Sequence, residues 1–397
     1  PGSHGLTITG ENNQVMSRDR IDRRRFIQTA GAAGAALLAG CSADEVDSPT
    51  DTTTTTTEPT TVGTTDRSSD TLVVATYSSF IDAVSTSPGG WIKQQFESEF
   101  DADLVWQTPP NELDQYIQRA NADVEIDADV YVGLNVDDLI RLDENLQQDS
   151  LFAAAPDLDG TADIKDGLNF DPQGRAVTYD TGYISLVWNA TADGDEFVAP
   201  ETFDGLLESE YAGDLIAQNP SSSATGRAFL LHTIQAKGEE NYLDYWADLQ
   251  ENDVRILGSW GDAYSAYGNG EAPMVVSYST DQVYANRAEQ NMDRHQIRFL
   301  NDQGYANPEG MAQFANSDSP ELARSFMEFM LRPEVQAEVA VRNVAFPAIT
   351  DAEFGEQHAE YEQYAQVPPE AVSFSYDELR GNLQSWIEDW SRQIAGN

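Results

Sequence analysis

The chain has 397 residues, 40% hydrophobic and 10% aromatic, enough for two or three domains with genuine cores. Its 22 Lys and Arg stand against 68 Asp and Glu, a formal charge of −46, which excludes nucleic acid as the main partner because that binding neutralises phosphates with cationic side chains. Only Lys93, Lys165 and Lys237 are lysines and the acids are scattered over nearly every segment, the pattern of a halophilic protein whose self-repulsion is screened by concentrated salt.

Residues ahead of Met16 are set aside from fold reasoning. Asp22-Arg23-Arg24-Arg25-Phe26-Ile27-Gln28 precedes a small apolar run from Ala30 to Ala39, too short to span a membrane as a helix. Arg23-Arg24 resembles the twin-arginine export motif, and Leu38-Ala39-Gly40-Cys41 resembles a lipobox whose cysteine becomes a lipid anchor. Residues 1–40 are therefore expected to be a signal peptide with a preceding extension. Cys41 is the single cysteine, which rules out a disulfide within the chain. From Ser42 to Asp70 there are 11 threonines and no aromatic residue, so residues 41–70 read as a lipidated, Thr-rich disordered tether. Asn189-Ala190-Thr191 fits an N-glycosylation pattern, consistent with export to the outer face of the cell membrane.

From Thr71 onward, short β-rich runs alternate with helical patterns, which predicts an α/β fold with mostly parallel sheets. Strands are expected at Leu72–Tyr77, Ala102–Trp106 and Ala128–Leu134, with helices at Trp91–Phe100 and Glu112–Ala120. A second series follows: strand Gly182–Trp188, helix Thr202–Glu208, strand Asp214–Gln218 and an apolar helix after the loop Asn219–Gly226. Next come helix Tyr242–Leu249, strand Val254–Leu257, a helix opened by Trp260 and Tyr264, and strand Met274–Tyr278. Ser319-Pro320-Glu321 reads as an N-cap and helix start. Ser375 and Glu378 form a capping box ahead of a stripe of Tyr376, Leu379, Leu383, Trp386, Ile387, Trp390 and Ile394 that locks the chain end. Two lobes with chain crossings between them place a cleft at the strand carboxyl ends.

Catalytic patterns are thin. His232, His295 and His358 lack zinc-ligand spacing, no phosphate-binding glycine loop or Gly-x-Ser-x-Gly elbow is present, and the pair Asp137-Asp138 reads as solvated surface among so many acids. Neither an enzyme nor a cofactor or metal site is expected, and a secreted hydrolase using a carboxylate pair is the remote alternative. What stands out is aromatic and hydroxyl residues at strand ends: Tyr77, Tyr179-Asp180, Trp260 with Tyr264, and Tyr278-Ser279-Thr280-Asp281. Rings with a few carboxylates suit a flat cation through cation–π attraction, and the loop Ser222–Gly226 offers hydroxyls and N–H groups to an oxyanion or hydroxyl tail.

At these residues a resemblance becomes specific. Val74–Phe80, Ala128–Leu134, Tyr179–Tyr183, Trp260–Tyr264, Val276–Thr280 and Trp386–Trp390 resemble, in order and spacing, the thiamine-binding proteins of ABC-type thiamine importers, over roughly Thr71 to Ala395. The resemblance implies a two-lobe, type II periplasmic-binding-protein-like fold, each lobe a mostly parallel sheet flanked by helices. The expected division is 71–177 with about 279–340 in lobe 1, and 178–278 with about 341–397 in lobe 2. It implies a monomeric solute-binding lipoprotein that holds thiamine or its phosphates between the lobes and delivers it to a membrane permease. The ligand-binding residues implied are Tyr77, Ser223, Thr225, Trp260, Tyr264, Tyr278, Asp281 and Asn343, with Asp281 or Asp180 supplying compensating charge. Two positions depart from the family: Val344 stands where it carries a pocket tryptophan, and Pro109-Pro110-Asn111 replaces an Asp-Gly loop near the phosphate. The alternative within the same fold is another cargo: ferric iron, a polyamine or an anion.

The acid surplus predicts that the chain loses structure as salt falls from molar to millimolar. A far-UV dichroism spectrum that stays constant across that range would contradict it.

Overall fold

The computed structural model describes residues 70–397 except 84–85, 195–196 and 396–397. Arg23 and Arg24 of the expected export signal, Cys41 and the Thr-rich segment expected as a tether, through residue 69, lie outside the described residues. Among the described residues, no helix is long and apolar enough to cross a membrane.

Strands β1 (Thr71–Ala75), β2 (Asp103–Gln107) and β3 (Val130–Leu134) form a parallel ribbon with β1 in the middle. All five residues of β3 are buried, as strands covered on both faces must be. The long β4 (Val177–Trp188) leads to a second parallel ribbon of β5 (Leu215–Gln218), β6 (Arg255–Leu257) and β7 (Met274–Tyr278), with β5 in the middle. β8 (Gln296–Arg298) pairs with the end of β4, and β9 (Gln303–Gln313) runs antiparallel to both β3 and β4. Two short strands, β10 (Phe346–Pro347) and β11 (Glu370–Val372), pair with β4 and β9. The sheet order is β2-β1-β3-β9-β4-β7-β5-β6, so two parallel ribbons are joined through an antiparallel pair. The expected α/β architecture is present, and its two parallel ribbons are joined through an antiparallel centre into one mixed sheet. No strand was expected over Gln303–Gln313.

The helices are α1 (Ser78–Asp82), α2 (Gly89–Phe100), α3 (Glu112–Asn121), α4 (Val136–Asn145), α5 (Ala224–Lys237), α6 (Tyr242–Glu251), α7 (Trp260–Gly268), α8 (Asp281–Arg287), α9 (Pro320–Met330) and α10 (Pro333–Asn343). After them come α11 (Tyr361–Tyr364), α12 (Tyr376–Leu379) and α13 (Leu383–Trp390). Thr202–Glu208 is not a helix; it holds a 3₁₀ turn, Gly205–Leu207. Thr202 Oγ1 accepts from the Gly205 amide at 3.0 Å, a local bond that competes with helical pairing. Ser319 does not cap α9 with its side chain, because its hydroxyl donates to the Thr71 carbonyl at 3.0 Å.

The capping box of Ser375 and Glu378 is formed, but the final helix breaks after Leu379 because Gly381 takes φ +81°, and resumes as α13. The predicted stripe from Tyr376 to Ile394 is buried throughout. Tyr376 donates to Asp143 of α4 at 2.6 Å, and Trp390 meets Trp246 edge to face at 5.3 Å. Both indoles are fully buried, so removing one opens a large void. Trp390→Ala should destabilise the fold by about 3 to 5 kcal/mol. Thermal melting checks this, and an unchanged midpoint would show that the chain end does not lock the core.

Candidate functional site

The carboxyl ends of both parallel ribbons open onto one cleft of about 810 Å³. All eight residues expected to bind ligand line it: Tyr77 follows β1, Tyr278 ends β7, Ser223 and Thr225 begin α5, Trp260 and Tyr264 begin α7, Asp281 begins α8, and Asn343 ends α10.

Two glycines hold the tyrosines flat against the backbone. A Cβ on Gly133 of β3 would fall 2.5 Å from the Tyr77 ring, and one on Gly182 of β4 would fall 2.5 Å from the Tyr278 ring. Nothing larger than hydrogen fits at either place. In the same cleft, Trp260 and Tyr264 stack at 5.0 Å with planes 23° apart, one helical turn separating them. Trp260 Nε1 donates to Ser277 Oγ at 3.0 Å. Tyr264 donates to Asp281 Oδ1 at 2.6 Å, and the other oxygen of Asp281 lies 2.6 Å from His295 Nδ1. Asp281 therefore fixes the Tyr264 ring, with both of its oxygens engaged.

Carboxyl groups with no cation among the described residues that touch them lie elsewhere, at Asp180 of β4 and Glu309 of β9, register partners across the antiparallel ladder. Tyr77 and Tyr179 both donate to Glu309 Oε2, at 2.9 and 2.6 Å. Asn343 Nδ2 donates to Asp180 Oδ2 at 2.8 Å and lies 3.2 Å from the Tyr77 hydroxyl. Burial lifts Glu309 to about 7, against the tyrosine hydrogen bonds that favour its charged form. Burial, and then the charge of Glu309, holds Asp180 well above the ordinary carboxylate range. Tyr278 is pushed up to about 12 by burial, and Asn307 Nδ2 donates to its hydroxyl at 3.2 Å.

At the other end of the cleft, Asp137 and Asp138 are not solvated surface: they are 5% and 6% exposed. They occupy the first turn of α4, where the helix dipole favours acids, and each meets a guanidinium. Arg227 Nε pairs with Asp137 at 2.5 Å, and Arg141 pairs with Asp138 and, at 2.8 Å, with Asp114. The serine loop is likewise engaged: Ser223 Oγ caps α5 through the Gly226 amide at 3.3 Å, and Ser222 donates to the Gly258 carbonyl at 2.7 Å. Val344 lines the cleft at φ +54°, a left-handed conformation that a β-branched residue rarely adopts. His232 is a core residue whose burial lowers it to about 3, so it stays neutral. Among the described residues, no three His, Cys, Asp or Glu side chains gather as metal ligands.

Glu309 escaped the sequence reading because its strand did. The acid within Pro308-Glu309-Gly310, on a chain otherwise rich in surface carboxylates, carries no mark of burial.

Residues 91–369 match the family of bacterial extracellular solute-binding proteins. The chain belongs to that family. Among curated relatives of this solute-binding protein, the thiamine-binding periplasmic protein of Salmonella typhimurium is 26% identical over 324 residues, covering 82% of this chain and 93% of that protein. The protein of the same name from Brucella suis is 26% identical, covering 81% of this chain and 91% of that protein. A putative 2-aminoethylphosphonate-binding periplasmic protein of Salmonella paratyphi A is 22% identical, covering 66% and 80%. Among solved structures, a periplasmic thiamin binding protein superposes with a TM-score of 0.70 at 24% identity, covering 82% of this chain and 96% of that one. The apo ferric ion-binding protein A of Pasteurella haemolytica superposes at 0.65 with 13% identity, covering 82% and 98%. These neighbours share the type II periplasmic-binding-protein fold, and the relatives are binding proteins rather than enzymes.

If Gly182 is what seats Tyr278, Gly182→Ala must displace the ring. The near-UV dichroism of tyrosine should change while the far-UV spectrum stays the same; an unchanged near-UV spectrum would contradict the seating.

Proposed function

We propose that this solute-binding protein is the extracytoplasmic receptor of an ABC importer, that it binds thiamine or a thiamine phosphate in the cleft, and that it delivers the ligand to a membrane permease. The observation that carries the reading is the combination of ring faces at Tyr77, Tyr278 and the Trp260–Tyr264 stack with two carboxyl groups lacking a cationic partner, the buried Asp180 and the half-buried Glu309, in one cavity. A flat aromatic cation answers both features. The names of the relatives point to the same ligand. In this reading residues 71–177 with about 279–340 and residues 178–278 with about 341–397 are two lobes of a monomer that close because the ligand binds the closed state better. Export through the twin-arginine signal and a lipid on Cys41 would keep the receptor at the outer face of the membrane.

Calorimetric titration of the purified chain in molar salt tests the reading, with thiamine first, thiamine monophosphate second, and putrescine and ferric citrate as controls. Saturable one-to-one binding of thiamine is expected. Heat from a control alone would assign the cleft to another cargo. Replacing Trp260 or Tyr278 with Ala should weaken binding by at least ~1 kcal/mol, about fivefold. Unchanged affinity in both variants would sink the site assignment.

A further inference from the structure

Like charges directly opposite each other on adjacent strands repel, and removing water strengthens the repulsion. Asp180 and Glu309 are opposed in this way, and Asp180 is only 1% exposed. The groups that face them come from every side of the cleft. Tyr77 follows β1, Tyr179 lies on β4, Tyr278 ends β7, Asn343 ends α10 and Tyr361 begins α11, while Glu112 of α3 and Asp138 of α4 add charge of the same sign. The donors that touch the pair, Tyr77, Tyr179 and Asn343, are all neutral. The arginines in the cleft wall, Arg141 and Arg227, are bound to Asp114, Asp138 and Asp137. Neutral donors satisfy lone pairs without cancelling charge, so the pair still needs a positive charge, which a proton or a ligand can supply.

The acids alone would not indicate a ligand. The independent sign is the ring lining: the Tyr77 and Tyr278 faces seated on glycines and the Trp260–Tyr264 stack open into the same cavity. We propose that Asp180 and Glu309 hold one proton between them in the empty cleft and release it when a cationic ligand enters, so that the pair is the counter-ion of the site. The inference rests on the reading of the cleft as a receptor for a flat cation, and it assigns the charge-selecting residues within it. The exchange is balanced: one O–H bond breaks, its proton passes to the solvent buffer, and the ligand's charge replaces it. The lifted titration of both carboxyls agrees with a retained proton.

Two consequences follow for pH. Binding that expels one proton strengthens tenfold per pH unit below the pair's titration and levels off above it. In the empty protein the sign is opposite. A carboxyl raised in the folded state contributes stability that is fully present below its unfolded value and is lost as pH rises through about 7. Glu309→Gln should therefore raise the melting temperature of the empty protein at pH 8 while weakening cation binding. A purely structural acid would not move those two readouts in opposite directions.

The test is calorimetry of the full chain with thiamine in two buffers of different ionisation heat. Wild type should release close to one proton per ligand near pH 6 and bind more tightly at pH 8.5 than at pH 6. Glu309→Gln should remove both effects. Thiamine binding without proton release and with constant affinity would overturn the counter-ion proposal and leave the receptor reading standing. If thiamine does not bind, the receptor reading for thiamine fails and the proton is sought directly by infrared spectroscopy of the empty protein. A protonated-carboxyl band present at pH 6, absent at pH 9 and lost in both Glu309→Gln and Asp180→Asn supports the shared proton; its absence from wild type at pH 6 refutes it.

Discussion

Two carboxyl groups held opposite each other between β4 and β9, Asp180 buried and Glu309 half-buried in the cleft wall, with no cation among the described residues that touch them, set the terms for the rest of the cleft. Such a pair destabilises the strands that carry it. The surrounding parts reduce that cost without removing it: Tyr77 and Tyr179 turn their hydroxyls to Glu309, and Asn343 turns its amide to Asp180. The order of the sheet makes this convergence possible. β4 and β9 join the two parallel ribbons, so groups from β1, β7 and α10 meet over their centre.

The contrast with the other acids is instructive. Asp281 is buried as well, but Tyr264 and His295 occupy both of its oxygens, and it works as a brace for a ring. Asp137 and Asp138 each have an arginine. In a chain with 68 acids and 22 Lys and Arg, cations are scarce, and within the cleft wall they are spent at the end near α4 rather than on Asp180 and Glu309. This distribution, rather than the acid count, marks where a positive ligand would be held.

Much of this is legible in the sequence. Apolar runs such as Met274–Tyr278 announced the buried parallel strands, and the rings at their ends announced the cleft, because side chains at strand carboxyl ends have nowhere else to point in an α/β sheet. The central β9 was not legible: Gln303–Gln313 contains Gly304, Asn307, Pro308, Glu309 and Gly310, residues that ordinarily read as turn, and only pairing with β3 and β4 makes them a strand. Glu309 was hidden with it. The break at Gly381 is masked in the sequence by an otherwise continuous apolar stripe, which the structure buries on both sides of the break. Asp137 is hidden for a third reason, since its partner Arg227 is 90 residues away in sequence and no local pattern encodes that pairing, while Asp138 has its arginine three residues on, at Arg141, a spacing that looks the same on a solvated helix face.

The central claim is that a cation sits over Asp180 and Glu309 between the rings. A crystal structure of the protein grown with thiamine tests it most directly. The account predicts the thiazolium ring against the cleft aromatics, with its positive nitrogen within ion-pair reach of the Asp180 and Glu309 carboxylates. Thiamine bound elsewhere, or bound in the cleft with its charge directed to the Asp137–Asp138 end and the Asp180–Glu309 pair untouched, would contradict it.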